Sequence, residues 1–222
     1  MYAADHTRHP PAEDADLVLR DAGAADAPAV AAILAEALGA KYRPAFGRRA
    51  DAAIAGAVRD ETARGLPGFI VAEREGEPIG VIHLATQDHD RRSDDEGWSA
   101  LVGRVGFPRA AWGWVVLRSL RRAPLEADEL HISELGVVSA ARRGGVASAL
   151  LAEARRRAAL AGMARLTLWV TVDNAGAIAL YEREGFTARQ TRRFYLGRLL
   201  FRSPGLTLMT LSLPADDLTH HH

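Results

Sequence analysis

One stretch constrains the fold of this chain more than any other. It comprises an apolar run over residues 130–138, the turn Ser139-Ala140-Ala141-Arg142-Arg143-Gly144-Gly145, and an amphipathic pattern that starts at Val146. An apolar run that stops at a small polar turn and resumes at helical spacing predicts strand, tight turn, helix. Gly144 and Gly145 let the backbone bend ahead of the helix, so that several N–H groups converge at the positive end of its dipole. That arrangement is a ready site for a phosphate, carried by Arg142, Arg143, Gly144, Gly145, Val146, Ala147 and Ser148. By itself it also fits a plain helix start. Two owners of such a site are excluded by pattern. A dinucleotide fold carries Gly-x-Gly-x-x-Gly near its first strand, and a Walker loop carries Gly-Lys-Ser/Thr; neither stands here. What remains is Arg-x-x-Gly-x-Ala, on Arg142, Gly145 and Ala147.

Composition narrows the partners. A chain of 222 residues is long enough for one domain with a sizeable core. Its 28 basic and 28 acidic residues cancel, so bulk electrostatics do not point to nucleic acid. With no cysteine there is no disulfide framework, thiolate metal site or cysteine nucleophile, which suits the cytoplasm. No cluster has metal-ligand spacing. No apolar run reaches the ~20 residues that span a bilayer, so no membrane partner is expected. The polar residues 1–16 lack the apolar segment of a signal peptide and are expected to form a flexible tail. A single domain is expected over residues 17–214, followed by a tail over 215–222 in which His220-His221-His222 has the look of a purification tag.

Local signals lay out the rest. Residues 17–20 read as a strand, and Asp26 as the N-cap of a helix that Gly39 stops. Residues 50–63 form an alanine-rich helical pattern. Strands over 69–72 and 79–85 flank the turn Glu75-Gly76-Glu77-Pro78. The charged residues 88–97 read as a solvated loop, or as an acidic lip that attracts a cationic amine. A helical insertion with a basic face is expected over 98–122, ahead of the fourth strand. After the turn, the helix over 146–161 carries a stripe of Ala147, Leu150, Leu151, Ala154, Ala158 and Ala161. A strand over 166–172, a turn at Asp173-Asn174, a short helix over 175–184 and strands over 186–195 and 206–213 complete the chain. Alternating strands and helices, with hairpins near both ends, predict a mixed α/β or α+β sheet.

A second motif gives the turn an owner. Asn174, Ala177, Leu180, Tyr181, Gly185 and Phe186 spell Asn-x-x-Ala-x-x-Leu-Tyr-x-x-x-Gly-Phe. In this order after the glycine turn, the two patterns resemble the GNAT superfamily of acyl-CoA-dependent N-acetyltransferases. The resemblance implies a mixed, mostly antiparallel central sheet flanked by helices, acetyl-CoA as co-substrate, no metal, and an amine acceptor on a small molecule or peptide. It is compatible with a homodimer. It further implies that Leu135, Gly136, Val137 and Val138 splay away from the next strand and pair with the pantetheine arm. A backbone N–H near Leu135 to Val137 then holds the thioester oxygen. The pyrophosphate accepts from the backbone of Arg143, Gly144, Gly145, Val146, Ala147 and Ser148, with Arg142 and Arg143 adding charge. Asn174 and Ala177 stand at the cofactor by the same resemblance, although Asp173-Asn174 is also an ordinary helix-capping turn.

Tyr181 matches the family's general acid. A phenol with a pKa of ~10 is protonated at neutral pH and can donate to a leaving thiolate; the competing role is a buried aromatic. Glu134 is the favoured base, His131 the second, and a water the third. Strict alternation puts His131 and Ser133 on one strand face and Glu134 on the other, an assignment that a bulge reverses. With no cysteine to carry the acetyl group, transfer is expected to be direct, in a ternary complex. Two competing classes are a GNAT-fold module that holds acyl-CoA without turnover and an unrelated nucleotide-binding protein.

Overall fold

The computed structural model describes residues 17–46, 55, 56, 58, 59, 67–87, 125–193 and 204–214. Its central strands carry near-continuous apolar runs, the signature of a sheet covered on both faces. They are β2 (Phe69–Arg74), β3 (Glu77–Ala85), β4 (Glu129–Val137) and β5 (Arg165–Thr171). The first edge is β1 (Val18–Asp21); β6 (Thr187–Arg193) and β7 (Gly205–Ser212) form the other side. The order is β1-β2-β3-β4-β5-β7-β6 in one seven-stranded sheet. Every neighbouring pair is antiparallel except β4 with β5, which runs parallel. Among the described residues, the helices α1 (Ala27–Phe46), α2 (Val146–Leu160) and α3 (Ala175–Arg183) accompany it. The mixed, mostly antiparallel sheet flanked by helices agrees with the sequence.

The sheet separates two cores. On one face Ile70, Ile82, Leu84, Leu130 and Ile132 meet Leu150, Leu151, Ala154 and Ala158 of α2. On the other, Phe69, Val71 and Val81 meet Val30, Ile33 and Leu34 of α1. Each fully buried side chain of this kind contributes about 1.5–3 kcal/mol. Glycines set how closely the helices approach. A Cβ at Gly80 of β3 would lie 2.8 Å from Val146 Cγ1, so its absence lets the first turn of α2 rest on the sheet. A Cβ at Gly136 of β4 would lie 3.1 Å from Ala37 Cβ and 3.2 Å from Ile33 Cγ2 of α1.

Three local readings change. Gly39 does not stop α1, which continues to Phe46. An interior glycine costs about 0.5–1 kcal/mol, less than the burial of Val30, Ile33 and Leu34 returns. Asp26 does not cap α1; it closes the preceding 3-10 turn Ala24–Asp26. Its carboxylate accepts from the Gly23 N–H at 2.7 Å and from the two terminal nitrogens, Nη1 and Nη2, of Arg20, which also bonds Glu73. In α2 the buried stripe is Val146, Leu150, Leu151, Ala154 and Ala158, shifted from the expected one because the helix ends at Leu160, leaving Ala161 exposed. Residues 55, 56, 58 and 59 are helical, in line with the alanine-rich pattern. The loop at 88–97, the insertion at 98–122 and both tails lie outside the described residues.

The outer side of α2 carries a charge network with a pH consequence. Glu153 accepts from Arg156 and Arg157, each at 2.8 Å, and Arg157 reaches across to Asp21 of β1. The Arg156 guanidinium, with Arg157 beside it, holds the Glu153 carboxyl down to about 2. A depressed folded value means that this stabilisation is full above the unfolded glutamate value of ~4.3 and is lost as pH falls toward ~2. Thermal melting measured from pH 5 to pH 2 is expected to show a fall in Tm across that window, and Glu153→Gln to flatten it.

Candidate active site

The β4–β5 ladder runs from Glu129 opposite Arg165 to Ile132 opposite Leu168 and stops there. The cause is one residue further along. On the other side of β4, His83 faces Glu134 and Leu84 faces Ile132, so Ser133 is an extra residue. A bulge of this kind bends its strand and increases its twist, which turns β4 away from β5. Beyond the bulge β4 still pairs with β3 as far as Val137 opposite Gly80. In an antiparallel ladder alternate residues turn both backbone groups to the same side. The Val138 N–H donates to the Ile79 carbonyl at 3.0 Å. Leu135 and Val137 therefore turn their N–H and C=O groups away from β3, into the gap that β5 has left.

The gap leads to the glycine turn. A 3-10 turn at Ser139–Ala141 follows β4, with the Arg142 N–H donating to the Ser139 carbonyl at 3.3 Å. Arg143 has φ 63° and Gly145 φ 78°, so the backbone enters the left-handed region twice before α2. Arg142, Arg143, Gly144 and Gly145 are exposed. Gly145 caps α2 without any side-chain bond. The Ala149 N–H closes the first helical turn on the Gly145 carbonyl at 2.9 Å. The N–H groups of Val146, Ala147 and Ser148 are then the first-turn donors that no helical carbonyl reaches. The Arg142 side chain runs back toward the strand, its Nε donating to the Val137 carbonyl at 3.3 Å.

The same bulge decides which side chains share a face. Leu84, Ile132, Ile82 and Leu135 all belong to the α2-side core. His83 and Glu134, paired between them, therefore lie on the α1 side, as do Ala85 and His131. His131 and Glu134 thus share a face, the outcome that strict alternation denied and a bulge allows. His131 is buried in the closed part of the sheet, Nδ1 2.8 Å from Thr167 Oγ1, and Thr167 donates in turn to Glu129. Glu134 stands past the bulge, beside the gap. Its cross-strand neighbour His83 is buried and stacked on Phe69 at 4.1 Å. Trp169, the first β5 residue beyond the ladder, alternates with core residues Leu168 and Val170 and so faces the Glu134 side. The Arg192 guanidinium lies over its ring at 5.4 Å.

Tyr181 comes to the site on α3, edge-on to Phe186 at 5.8 Å. Burial pushes its phenol up to about 12, and the charge of Glu134 adds to the rise. Asn174 caps α3, its Oδ1 accepting from the Ala177 N–H at 3.2 Å. Among the described residues, no group of three His, Cys, Asp or Glu side chains could hold a metal ion, and no helix is long and apolar enough to cross a membrane.

The family model described as the acetyltransferase (GNAT) family matches residues 32–186. The chain belongs to the GNAT acetyltransferase family. Mycothiol acetyltransferase of Amycolatopsis mediterranei (strain U-32) is 32% identical over 124 residues, which is 56% of this chain and 31% of that relative. The chain therefore spans less than a third of the curated relative it matches. Among solved structures, the polyamine N-acetyltransferase of Drosophila melanogaster has a TM-score of 0.60 at 18% identity, covering 89% of this chain and 100% of its own. Ribosomal-protein-alanine N-acetyltransferase from Brucella melitensis has a TM-score of 0.59 at 22% identity, covering 89% of this chain and 100% of its own. The PaiA N-acetyltransferase of Thermoplasma acidophilum, solved in complex with coenzyme A, has a TM-score of 0.58 at 13% identity, covering 89% and 99%. These likenesses establish the GNAT fold.

Within that fold the residues singled out from the sequence, other than Asn174 and Ala177 at the cap of α3, fall into three groups. Leu135 and Val137 line the gap, while Gly136 faces α1 and Val138 closes the β3 ladder. Arg142 through Ser148 form the turn and the first turn of α2. Glu134 stands past the bulge on the α1 side, Tyr181 packs from α3 against the α2-side core, and His131 stays with Thr167 in the paired part of the sheet. Sequence reasoning missed two residues. His83 is placed opposite Glu134 by a register that only the bulge determines. Glu36 of α1 accepts from the Ser139 N–H at 2.6 Å across 103 positions, and no local pattern signals it.

Proposed function

We propose that this protein transfers the acetyl group of acetyl-CoA directly to a primary amine of a small molecule or a protein. The observation that carries the reading is the gap between β4 and β5, whose backbone edge at Leu135 and Val137, unpaired with β5, leads to the start of α2, which no side chain caps. An amide-bearing arm pairs with such an edge as an added strand does. The N–H groups of Val146, Ala147 and Ser148 suit a pyrophosphate, and Arg142, Arg143 and the exposed Gly144-Gly145 backbone complete its surroundings. Asn174, whose Oδ1 is engaged in its cap, keeps its amide N–H groups for the ligand.

Bound acetyl-CoA supplies the thioester carbonyl that the amine attacks and the thiol that leaves. In this reading a gap-facing N–H of Leu135 or Val137 polarises that carbonyl by donating to its oxygen. The Glu134 carboxylate takes a proton from the amine nitrogen, and the Tyr181 hydroxyl gives one to the sulfur. The two transfers help each other. Glu134, while charged, raises the Tyr181 pKa; once protonated it no longer does, and the phenol becomes the stronger acid when its proton is needed. His131 acts behind these groups, holding the strand through Thr167. No cysteine is present to carry the acetyl group, which supports direct transfer. The acceptor class follows the names of the solved relatives, which include a polyamine and a ribosomal-protein-alanine N-acetyltransferase. The same reading places the reaction in the cytoplasm.

A thiol-release screen with acetyl-CoA tests the proposal against polyamines, amino acids, aminoglycosides and peptides with free N-termini or lysines. Release that depends on one acceptor class is the expected result. Tight acetyl-CoA binding with no release for any amine would point instead to a non-catalytic acyl-CoA-binding module.

A further inference from the structure

The glycine turn carries the cofactor site, yet most of its bonds are internal. The Ala141 N–H donates to Val138, Arg142 to Ser139, and Gly144 to Ala141, at 3.0, 3.3 and 3.4 Å. The last two are long, so the turn's own hydrogen bonds define its shape weakly. The Ser139 N–H, the first donor after the β3–β4 ladder ends, points outward to α1, where Glu36 Oε1 accepts it at 2.6 Å. The bond to the Ser139 backbone holds the Glu36 carboxyl below the usual carboxylate range, the Ser139 hydroxyl adds to this, and Arg142 contributes an attractive charge. Arg142 in turn bonds the Val137 carbonyl at the end of β4. One carboxylate thus engages the start of the turn by a charge-assisted bond and its middle by charge.

A carboxylate beside a pyrophosphate site opposes the ligand electrostatically unless its position gives something back. We propose that Glu36 is a positioning residue of the acetyl-CoA turn, holding Ser139 and Arg142 in the arrangement that receives the pyrophosphate before the ligand arrives. The proposal rests on the acetyl-CoA reading above. α1 also packs on the face of the sheet that carries Glu134, through Ile33 and Ala37 against Gly136. Glu36 therefore ties the helix on the base's side of the sheet to the turn on the cofactor's side.

Titration calorimetry with acetyl-CoA, run on wild type, Glu36→Ala and Glu36→Gln, separates the outcomes. Glu36→Ala is expected to raise Kd about tenfold, with kcat at saturating acetyl-CoA kept within about twofold. Glu36→Gln is expected to recover most of the affinity, because its amide oxygen still accepts the Ser139 N–H. Melting curves check that both variants are folded; Glu36 is exposed, so Tm should hardly move. An unchanged Kd in folded Glu36→Ala overturns the proposal and leaves the acetyl-CoA reading standing. A loss confined to kcat also overturns it. If wild type does not bind acetyl-CoA, both fail together.

Discussion

Tyr181→Phe is expected to lower kcat by about 10²- to 10³-fold while leaving the Kd for acetyl-CoA within about twofold of wild type. The ring keeps its edge-on contact with Phe186, because the phenol oxygen takes no part in that packing. What is lost is the proton for the leaving sulfur. Stopped-flow thiol release and calorimetry on the same preparation check the two halves. The pH dependence carries the same signature. A phenol pushed up to about 12 stays protonated across the range in which amines lose their protons. Wild type should therefore hold its rate on the alkaline side up to at least pH ~11, short of unfolding, since the acid form is lost only as pH rises through the raised value. A decline centred near pH 9 or 10 would assign the proton to another group.

Glu134→Gln should have the second large effect, about 10²-fold on kcat/KM, with the loss concentrated at the low end of the pH range, where the acceptor is a protonated amine. Gln keeps the shape of Glu134 beside the gap but cannot take a proton. A second readout needs no turnover. Removing the Glu134 charge removes one of the two causes that raise the Tyr181 pKa, and burial alone remains. Ultraviolet titration of the tyrosines, with Tyr181→Phe as the subtraction control, should show the Tyr181 transition moving to lower pH in Glu134→Gln. An unmoved transition would separate the two residues and remove the coupling on which the proposed proton transfers depend.

Much of this site was legible because its signals are local. The turn into α2 was written in consecutive residues, since Gly145 supplies the left-handed backbone and Val146, Leu150 and Leu151 follow at helical spacing. Tyr181 and Asn174 belong to one short motif on one helix. The face of Glu134 was harder, because strand alternation is lost wherever one residue is added, and Ser133 is that residue. Nothing in the residues around Ser133 marks a bulge; it shows only in the register against His83 and Leu84. Glu36 was out of reach for another reason. On the sequence it is one more polar position on an amphipathic helix, and its value comes from a backbone N–H that folding brings to it. Gly39 misled because an interior glycine is a modest local cost that the packing of Ile33 and Leu34 outweighs. The motifs fall where the chain must do one chemical job. The missed residues are those whose role is created by tertiary contact.

The central claim is that the β4–β5 gap and the start of α2 together hold acetyl-CoA, and thermal stability in the presence of ligand tests it most directly. A ligand that binds only the folded state at 100 times its Kd stabilises by ~2.7 kcal/mol, enough for a shift of several degrees. Acetyl-CoA and CoA are predicted to raise Tm in a concentration-dependent way, ATP to do so little or not at all, and Gly145→Val, which forces a branched side chain into the left-handed turn, to abolish the acetyl-CoA shift. An unchanged Tm with acetyl-CoA at millimolar concentration, or an equal shift with ATP, would contradict the account at its base.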